Sequence, residues 1–391
     1  MTTCICTKYT SRAGRVQAVF RSSWRVFGYN PRVRIVLATG IYPPEIGGPA
    51  TYVRALASAL RAKGAEVRII AYGERAPEDA VENVIRVRRA GGPLVRYVRY
   101  ARALRAASVK CDIIEAFSSV SVGVPLWLAH IRGPKKILRL GGDFLWERAT
   151  DRGDPRGLRA WYESKPWFVG LMNGLLRTFD TLVFSTEYQE EIFRRVYAHL
   201  PPVTVIENVT PNGTPMLHTP HRPFHLLSLG RFVAFKNLPA LVSAVALLPE
   251  TQLTFAGSGP MEHILRKKVT ALSLGDRVTF LPPQHGTEKE TLLRGHDLLV
   301  VPSTTDISPN TALEARAAGL PVLLTHETGL RGILLDGMVT ASLTTPEEIA
   351  TAVGECIAKY STLAARSAQP LPERGWHTLA DEHLAHFSSL L

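Results

Sequence analysis

Residues 227–248 read LSLGRFVAFKNLPALVSAVALL. An apolar run ends at Gly230, which lets the backbone leave a strand sharply. Arg231 follows at once, and Lys236 comes five residues later. Asn237 stands where a helix N-cap is expected, with Pro239 in the first turn. Two cations and a helix start converge on one place. That suits a diphosphate, held by charge-assisted bonds of roughly 1.5–3 kcal/mol each. The plainer alternative is two solvated charges beside a capped helix.

A second segment, residues 298–325, reads LLVVPSTTDISPNTALEARAAGLPVLLT. A buried strand is expected to end at Val301. Ser308 reads as N-cap and Pro309 as the first helical residue, with the helix running to Ala318 and Gly319 closing it. Asp306 lies just before this helix and Glu314 in its second turn. Helical side chains lean toward the N-terminus, so Glu314 reaches back toward a ligand faced by the free N–H groups in the segment Ile307 to Asn310. Two carboxylates in an otherwise apolar stretch suit a polyhydroxyl ligand. Taken singly, a capping Asp and a helix-face Glu are the ordinary readings.

Working outward, strand, loop and helix alternate along the chain. VRIVLATG (33–40) is a short apolar run, followed by YPPEIGGPA and by a helix in which Val53, Leu56, Ala57 and Leu60 share a face and Gly64 marks the stop. Further strand-like runs are EVRIIAYG, CDIIEAFS, KKILRLGG, DTLVFST and VTVIENV. The proline-rich stretch before residue 224 reads as a linker, after which the alternation restarts. An α/β chain of two doubly wound, Rossmann-like domains with parallel sheets is the economical solution, and the cleft between them is the natural site. The expected boundaries are a basic tail at 1–31, a first domain at 32–207, a linker at 208–223, a second domain at 224–375 and a terminal helix at 376–391.

These segments resemble the family 4 retaining glycosyltransferases, which have the GT-B fold. That family shows Gly-Arg…Lys-Asn, then Glu-x7-Glu-Ala…Gly-x-Pro-Val. IYPPEIGGPATYVRALASAL (41–60) is similar to its N-terminal glycine-rich loop and first helix, and ERGWHTLADEHLAHF (373–387) to its Trp-led helix crossing back to the first domain. The resemblance implies a nucleotide-sugar donor and a glycan, glycolipid or lipid-linked acceptor. Arg231 and Lys236 would hold the donor diphosphate beside Gly230 and Asn237, and Glu314 the ribose hydroxyls. Asp306 would stand where the family's first Glu contacts the sugar, with the backbone of Ile307 to Asn310 facing sugar or phosphate. Gly47 and Gly48 would let the backbone approach donor and acceptor. Two departures stand out. The first carboxylate is Asp, one methylene shorter. Where many members carry His-Asp after an N-domain strand, KKILRLGGDFLWERA (135–149) has Gly142-Asp143, so Asp143 is a candidate acceptor-side catalytic group, with a structural turn Asp as its rival. An epimerase on the same fold, or a nucleotide-sugar-binding protein without turnover, remains the alternative function.

Composition agrees with a large folded core. The 391 residues are 46% apolar and 20% charged, and no apolar run reaches 18 residues. Four cysteines give no disulfide framework, so a reduced, cytoplasmic setting is expected. The net charge of +12 is uneven: the first 34 residues hold seven Lys or Arg and no acid, leaving +5 for the rest. That disfavours nucleic-acid binding as the main role. Eight Lys or Arg and no acid lie between Asn83 and Cys111. GGPLVRYVRYARALRAA (91–107) reads as a helix with Arg96, Arg99, Arg102 and Arg105 on one side and Leu94, Val98, Ala101 and Leu104 packed on the other, Tyr97 and Tyr100 at the borders. Contact with an anionic membrane surface is the functional expectation, and a solvated basic face the rival. The chain has no Asp-x-Asp, so no metal or other cofactor is expected for transfer. The histidines are scattered, which predicts no metal cluster. Gly257-Ser-Gly259-Pro260 is a broken dinucleotide fingerprint, with Glu262 at its sixth position.

Overall fold

The structure, a computed structural model, describes residues 33–45, 47–164 and 167–391. The tail expected over 1–31 lies outside the described residues. Short apolar runs, buried on both faces, become parallel strands because helices cover both sides. Strands β1 (Arg34–Thr39), β2 (Glu66–Tyr72), β3 (Val84–Val87), β4 (Ile113–Ala116), β5 (Lys135–Leu140), β6 (Thr181–Phe184) and β7 (Val203–Val205) form a parallel sheet in the order β3-β2-β1-β4-β5-β6-β7. A second parallel sheet holds β8 (Phe224–Arg231), β9 (Thr251–Ser258), β10 (Val278–Leu281), β11 (Leu298–Val301), β12 (Val322–Thr325) and β13 (Met338–Ala341), ordered β10-β9-β8-β11-β12-β13. Each sheet reverses its winding once, between β1 and β4 and between β8 and β11. Those switch points open a crevice at the carboxyl ends of the strands.

Helix α1 (Gly48–Ala62) buries Val53, Leu56, Ala57 and Leu60, the face read from the sequence. The terminal helix Trp376–Leu390 packs on it, with Trp376 edge-on to Tyr52 at 5.3 Å. Leu379, Ala380, Leu384 and Phe387 complete the same apolar cluster. A polar pin runs through it: His383 Nδ1 lies 3.4 Å from a carboxylate oxygen of Glu115 in β4, both side chains fully buried. The Tyr52 hydroxyl is 3.1 Å from His383 Nε2.

Residues 206–223 hold no helix or strand. The outgoing chain there meets the returning chain at 372–375. Thr210 N–H donates to the Arg374 carbonyl (3.0 Å), and Arg374 N–H donates to the Thr210 hydroxyl (2.9 Å).

Helix α2 (Pro93–Ala107) corrects the expected orientation. Tyr100, Ala101, Leu104 and Ala107 are buried, whereas Leu94, Val95 and Val98 are exposed. The cause is Tyr100, whose hydroxyl lies 2.9 Å from the carbonyl oxygens of both Thr39 and Ile70 at the ends of β1 and β2. A buried phenol needs such an acceptor, so the helix rolls to supply it. Arg99 then donates to the carbonyls of Arg88 and Ala90, and Arg105 to that of Ala129, instead of projecting freely.

Candidate active site

Gly230 ends β8 with φ of +126°, a conformation that favours glycine. Beside it, a Cβ on Gly257 would fall 1.9 Å from the Gly230 carbonyl oxygen. The glycines at the end of β9 therefore serve close strand packing, which accounts for the broken dinucleotide fingerprint. Arg231 and Lys236 line one small open recess with Ser228, Gly230, Val301 and Pro302, at the carboxyl ends of β8 and β11. The two cations read from the sequence thus share one place.

Lys236 closes a short 3-10 turn, Ala234–Lys236, and its Nζ lies 2.6 Å from Asp306 Oδ2. Ser303 Oγ donates to the same oxygen at 3.2 Å. Asp306 is held on its backbone side too. Its N–H donates to the Glu327 carbonyl (2.9 Å), and its own carbonyl accepts from Gly329 N–H (3.1 Å). The Thr304 N–H donates to the Phe235 carbonyl at 2.8 Å, which laces the two loops together.

Several expected details change. Asn237 occupies the N-cap position of the Leu238–Ala246 helix, but its side chain makes no cap. Its φ is +51°, and Nδ2 donates instead to the carbonyls of Leu343 and Thr344 (2.9 and 3.1 Å). The second helix is Asn310–Ala317 with Pro309 at the N-cap, one residue later than expected. Ser308 is not its cap; its hydroxyl accepts from Asn208 Nδ2 of the linker at 2.9 Å. Pro309 has no N–H, and that of Asn310 donates to the Ser308 carbonyl (2.9 Å). The expected row of free donors over Ile307 to Asn310 therefore narrows to Ile307 and Ser308. The Ile307 side chain is buried in the apolar cluster of the N-terminal half. Glu314 pairs with Lys289 of the Gly286–Arg294 helix.

From the N-terminal half, Gly47 caps α1 and its carbonyl accepts from the N–H groups of Ala50 and Thr51. A Cβ on Gly47 would meet Ile41 at 2.6 Å, whereas Gly48 is open. Asp143 is not presented to the cleft. It is 6% exposed and starts α4 (Phe144–Asp151), Oδ1 accepting from Trp146 N–H (3.0 Å) and Oδ2 from the Tyr162 hydroxyl (2.6 Å). Burial raises its carboxyl above the usual range. The rival reading, a structural Asp, is the one its contacts match.

One turn on, Glu147 takes the place in the cleft that Asp143 does not. Its carboxylate lies 3.9 Å from Arg231 Nη2. Burial pushes the Glu147 carboxyl up to about 7, against the pull of Arg231 and Lys236. Sequence reading missed it. The only signal was its position four residues after a capping Asp, on a helix that opens after a glycine pair. Trp146 packs on Phe235 at 5.3 Å, so α4 rests directly on the turn that carries Lys236.

Known proteins match this layout. The model "Glycosyl transferase 4-like domain" matches residues 47–209, and "Glycosyl transferases group 1" matches 216–367. D-inositol 3-phosphate glycosyltransferase of Arthrobacter sp. (strain FB24) is 29% identical over 338 residues, 75% of this chain and 77% of that protein. The lipopolysaccharide core biosynthesis glycosyltransferase LpsE of Rhizobium meliloti is 32% identical over 188 residues, 46% of this chain and 53% of that one. Among solved structures, sucrose-phosphate synthase from Thermosynechococcus elongatus superposes with a TM-score of 0.73 at 21% identity, covering 92% of this chain and 99% of that one. Anabaena HepE in complex with UDP and glucose gives 0.67 at 16% identity, covering 91% and 100%. With one family model on each sheet and the cations at the shared cleft, the chain belongs to the group 1, family 4-like glycosyltransferases of GT-B fold.

Proposed function

We propose that the protein is a retaining glycosyltransferase that moves a sugar from a nucleotide-diphosphate sugar to a glycan, glycolipid or lipid-linked acceptor, without a metal. The observation that carries this is the shared recess of Arg231 and Lys236 at the carboxyl ends of β8 and β11. An anomeric carbon activated as a diphosphate ester needs its leaving charge stabilised more than it needs an enzyme nucleophile. At an effective dielectric near 20, a cation about 4 Å from an anion contributes about 4 kcal/mol before other costs. Two such cations supply much of the catalysis electrostatically. Asp306 keeps Lys236 pointed at the recess and offers its other oxygen to sugar hydroxyls. The Ile307 and Ser308 N–H groups face the donor, and Glu314, steadied by Lys289, takes the ribose hydroxyls. Gly47 and Gly48 bring the N-terminal backbone toward donor and acceptor. Asp143 acts through α4 as a positioning residue. The absence of Asp-x-Asp supports metal independence.

A thermal-shift screen across nucleotide sugars tests the reading. A selective rise in Tm identifies the donor by mass action, and transfer activity that survives EDTA supports the metal-free chemistry. No response to any nucleotide sugar would overturn the proposal. Selective binding without transfer to any acceptor would favour a binding protein.

Peripheral contact with an anionic bilayer is part of the proposal. Leu94, Val95 and Val98 stand exposed at the start of α2, and Trp127 of helix α3 (Val124–Leu128), which packs on α2, is half exposed. Apolar side chains beside the exposed Arg102 suit shallow insertion under acidic headgroups. Among the described residues no helix is long and apolar enough to cross a membrane. Co-sedimentation with phosphatidylglycerol vesicles that is unchanged in a Leu94→Ser, Val95→Ser, Val98→Ser variant would remove this part.

A further inference from the structure

At the amino-terminal ends of β8 and β11, the end of the sheet opposite the recess, three side chains meet that the transfer reaction does not use. Asp297 directly precedes β11 and is fully buried. Its ion-pair partner among the described residues is a histidine: His221 Nδ1 lies 2.8 Å from Asp297 Oδ1. The rings of His221 and His225 stack with centroids 4.4 Å apart. One nitrogen from each imidazole and one Asp297 oxygen all lie within 4.8 Å of one another. The expectation of scattered histidines is corrected here, because the topology brings residue 297 beside the linker end and the start of β8.

The carboxylate is fixed before any ligand arrives. The His221 N–H lies 3.1 Å from both of its oxygens, and the His225 N–H donates to Oδ2 at 2.7 Å. Such outer contacts orient a metal-binding group. The neighbouring histidines are otherwise engaged. His296 sits with Nδ1 on the Leu292 carbonyl (2.7 Å) and Nε2 against Thr254 Oγ1 (2.9 Å), and His218 with Nδ1 on the His296 carbonyl (3.1 Å). The His221 side chain is 45% exposed, which leaves a solvent side for water ligands.

We propose that His221, His225 and Asp297 form a site for a divalent transition cation of the zinc class, which staples the end of the linker to the C-terminal sheet. Two imidazoles and one carboxylate are the donor set of zinc and cobalt, whereas magnesium and calcium prefer oxygen alone. Tetrahedral zinc spaces its ligand atoms roughly 3.3 Å apart, a spacing within the 4.8 Å that contains these three atoms. Lying at the far end of the strands, the cation holds structure and takes no part in transfer.

Calorimetric titration and thermal unfolding of the chelator-treated full chain, with ZnCl2, CoCl2 or MgCl2, test the site. One equivalent of zinc or cobalt binds and raises Tm, and magnesium does neither. Removing a ligand weakens zinc by at least about 100-fold, since even outer-shell losses cost 10–100-fold. That loss appears in His225→Ala and in His221→Asn, the latter a change at a half-exposed side chain that leaves folding intact. The exposed His263→Ala control binds as the wild type does. Absence of a saturable equivalent in the wild type, unchanged affinity in both ligand variants, or equal loss in the control would overturn the proposal. Nucleotide-sugar binding is measured alongside and stays unaffected, so this site and the transfer site fail separately.

Discussion

The two sheets follow one winding plan and carry different chemistry at their carboxyl ends. In the C-terminal half the recess is built from neighbours in sequence: Gly230, Arg231 and Lys236 sit within seven residues, and Asp306 joins them from the next strand of the switch point. In the N-terminal half the same ends present glycines and an acid, with Gly47 and Gly48 at the start of α1 and Glu147 on α4, while Asp143 is buried as the cap of α4. A diphosphate is a compact dianion, and one loop with two cations can hold it. On the proposed function, a broad hydroxylated acceptor would need a surface assembled from several strand ends. The first kind of site is local in sequence, and the second is created by folding.

This contrast can be broken or sharpened by substitution. The largest stability effect is expected in the N-terminal half, at the buried pin of the terminal helix. His383→Ala strands Glu115 without its partner and is expected to cost about 3–5 kcal/mol in urea unfolding, while Lys236→Ala, which leaves Asp306 with Ser303, is expected to cost less. Lys236→Ala should instead lower turnover by about 10²–10³-fold, the usual loss for one preorganised electrostatic group; a smaller loss would mean the recess holds the donor without helping it leave. Asp143→Ala removes a cap, and the expected cost is about 1–2 kcal/mol of stability, with a weaker effect on donor affinity. A large loss of transfer at unchanged stability would restore Asp143 to the chemistry.

The smallest effect reads the pair that spans both halves. Below its pKa of about 7 Glu147 is neutral and Arg231 acts on the donor uncompensated; above it the carboxylate offsets that charge. Donor affinity is therefore expected to fall as pH rises through about 7, by about fivefold, the ~1 kcal/mol exerted by a charge 4 Å away in water-like surroundings. Glu147→Gln should flatten that step in a pH series of donor binding.

Much of this was legible in the sequence for a physical reason. Strand ends, helix starts and the residues between them are fixed by local chain geometry, so the recess cations and the buried face of α1 could be read directly, whereas the crossing helix at Trp376 followed from the family resemblance. What escaped depends on distant partners. Glu147 acquires meaning from Arg231, Glu314 is claimed by Lys289, and Asn237 turns to the Leu343 and Thr344 carbonyls. The roll of α2 was set by one phenol seeking two carbonyls, against a periodic pattern that favoured Leu94 and Val98. His221, His225 and Asp297 looked unrelated until β8 and β11 lay side by side.

The outgoing and returning crossings run together, tied where Thr210 and Arg374 exchange hydrogen bonds. Two chain segments bound along one seam form a spine where the halves join. Parting the halves would have to release Arg331 from Glu187 and Glu191, Tyr188 from Glu327, the Leu158 N–H from Thr305 and Trp146 from Phe235.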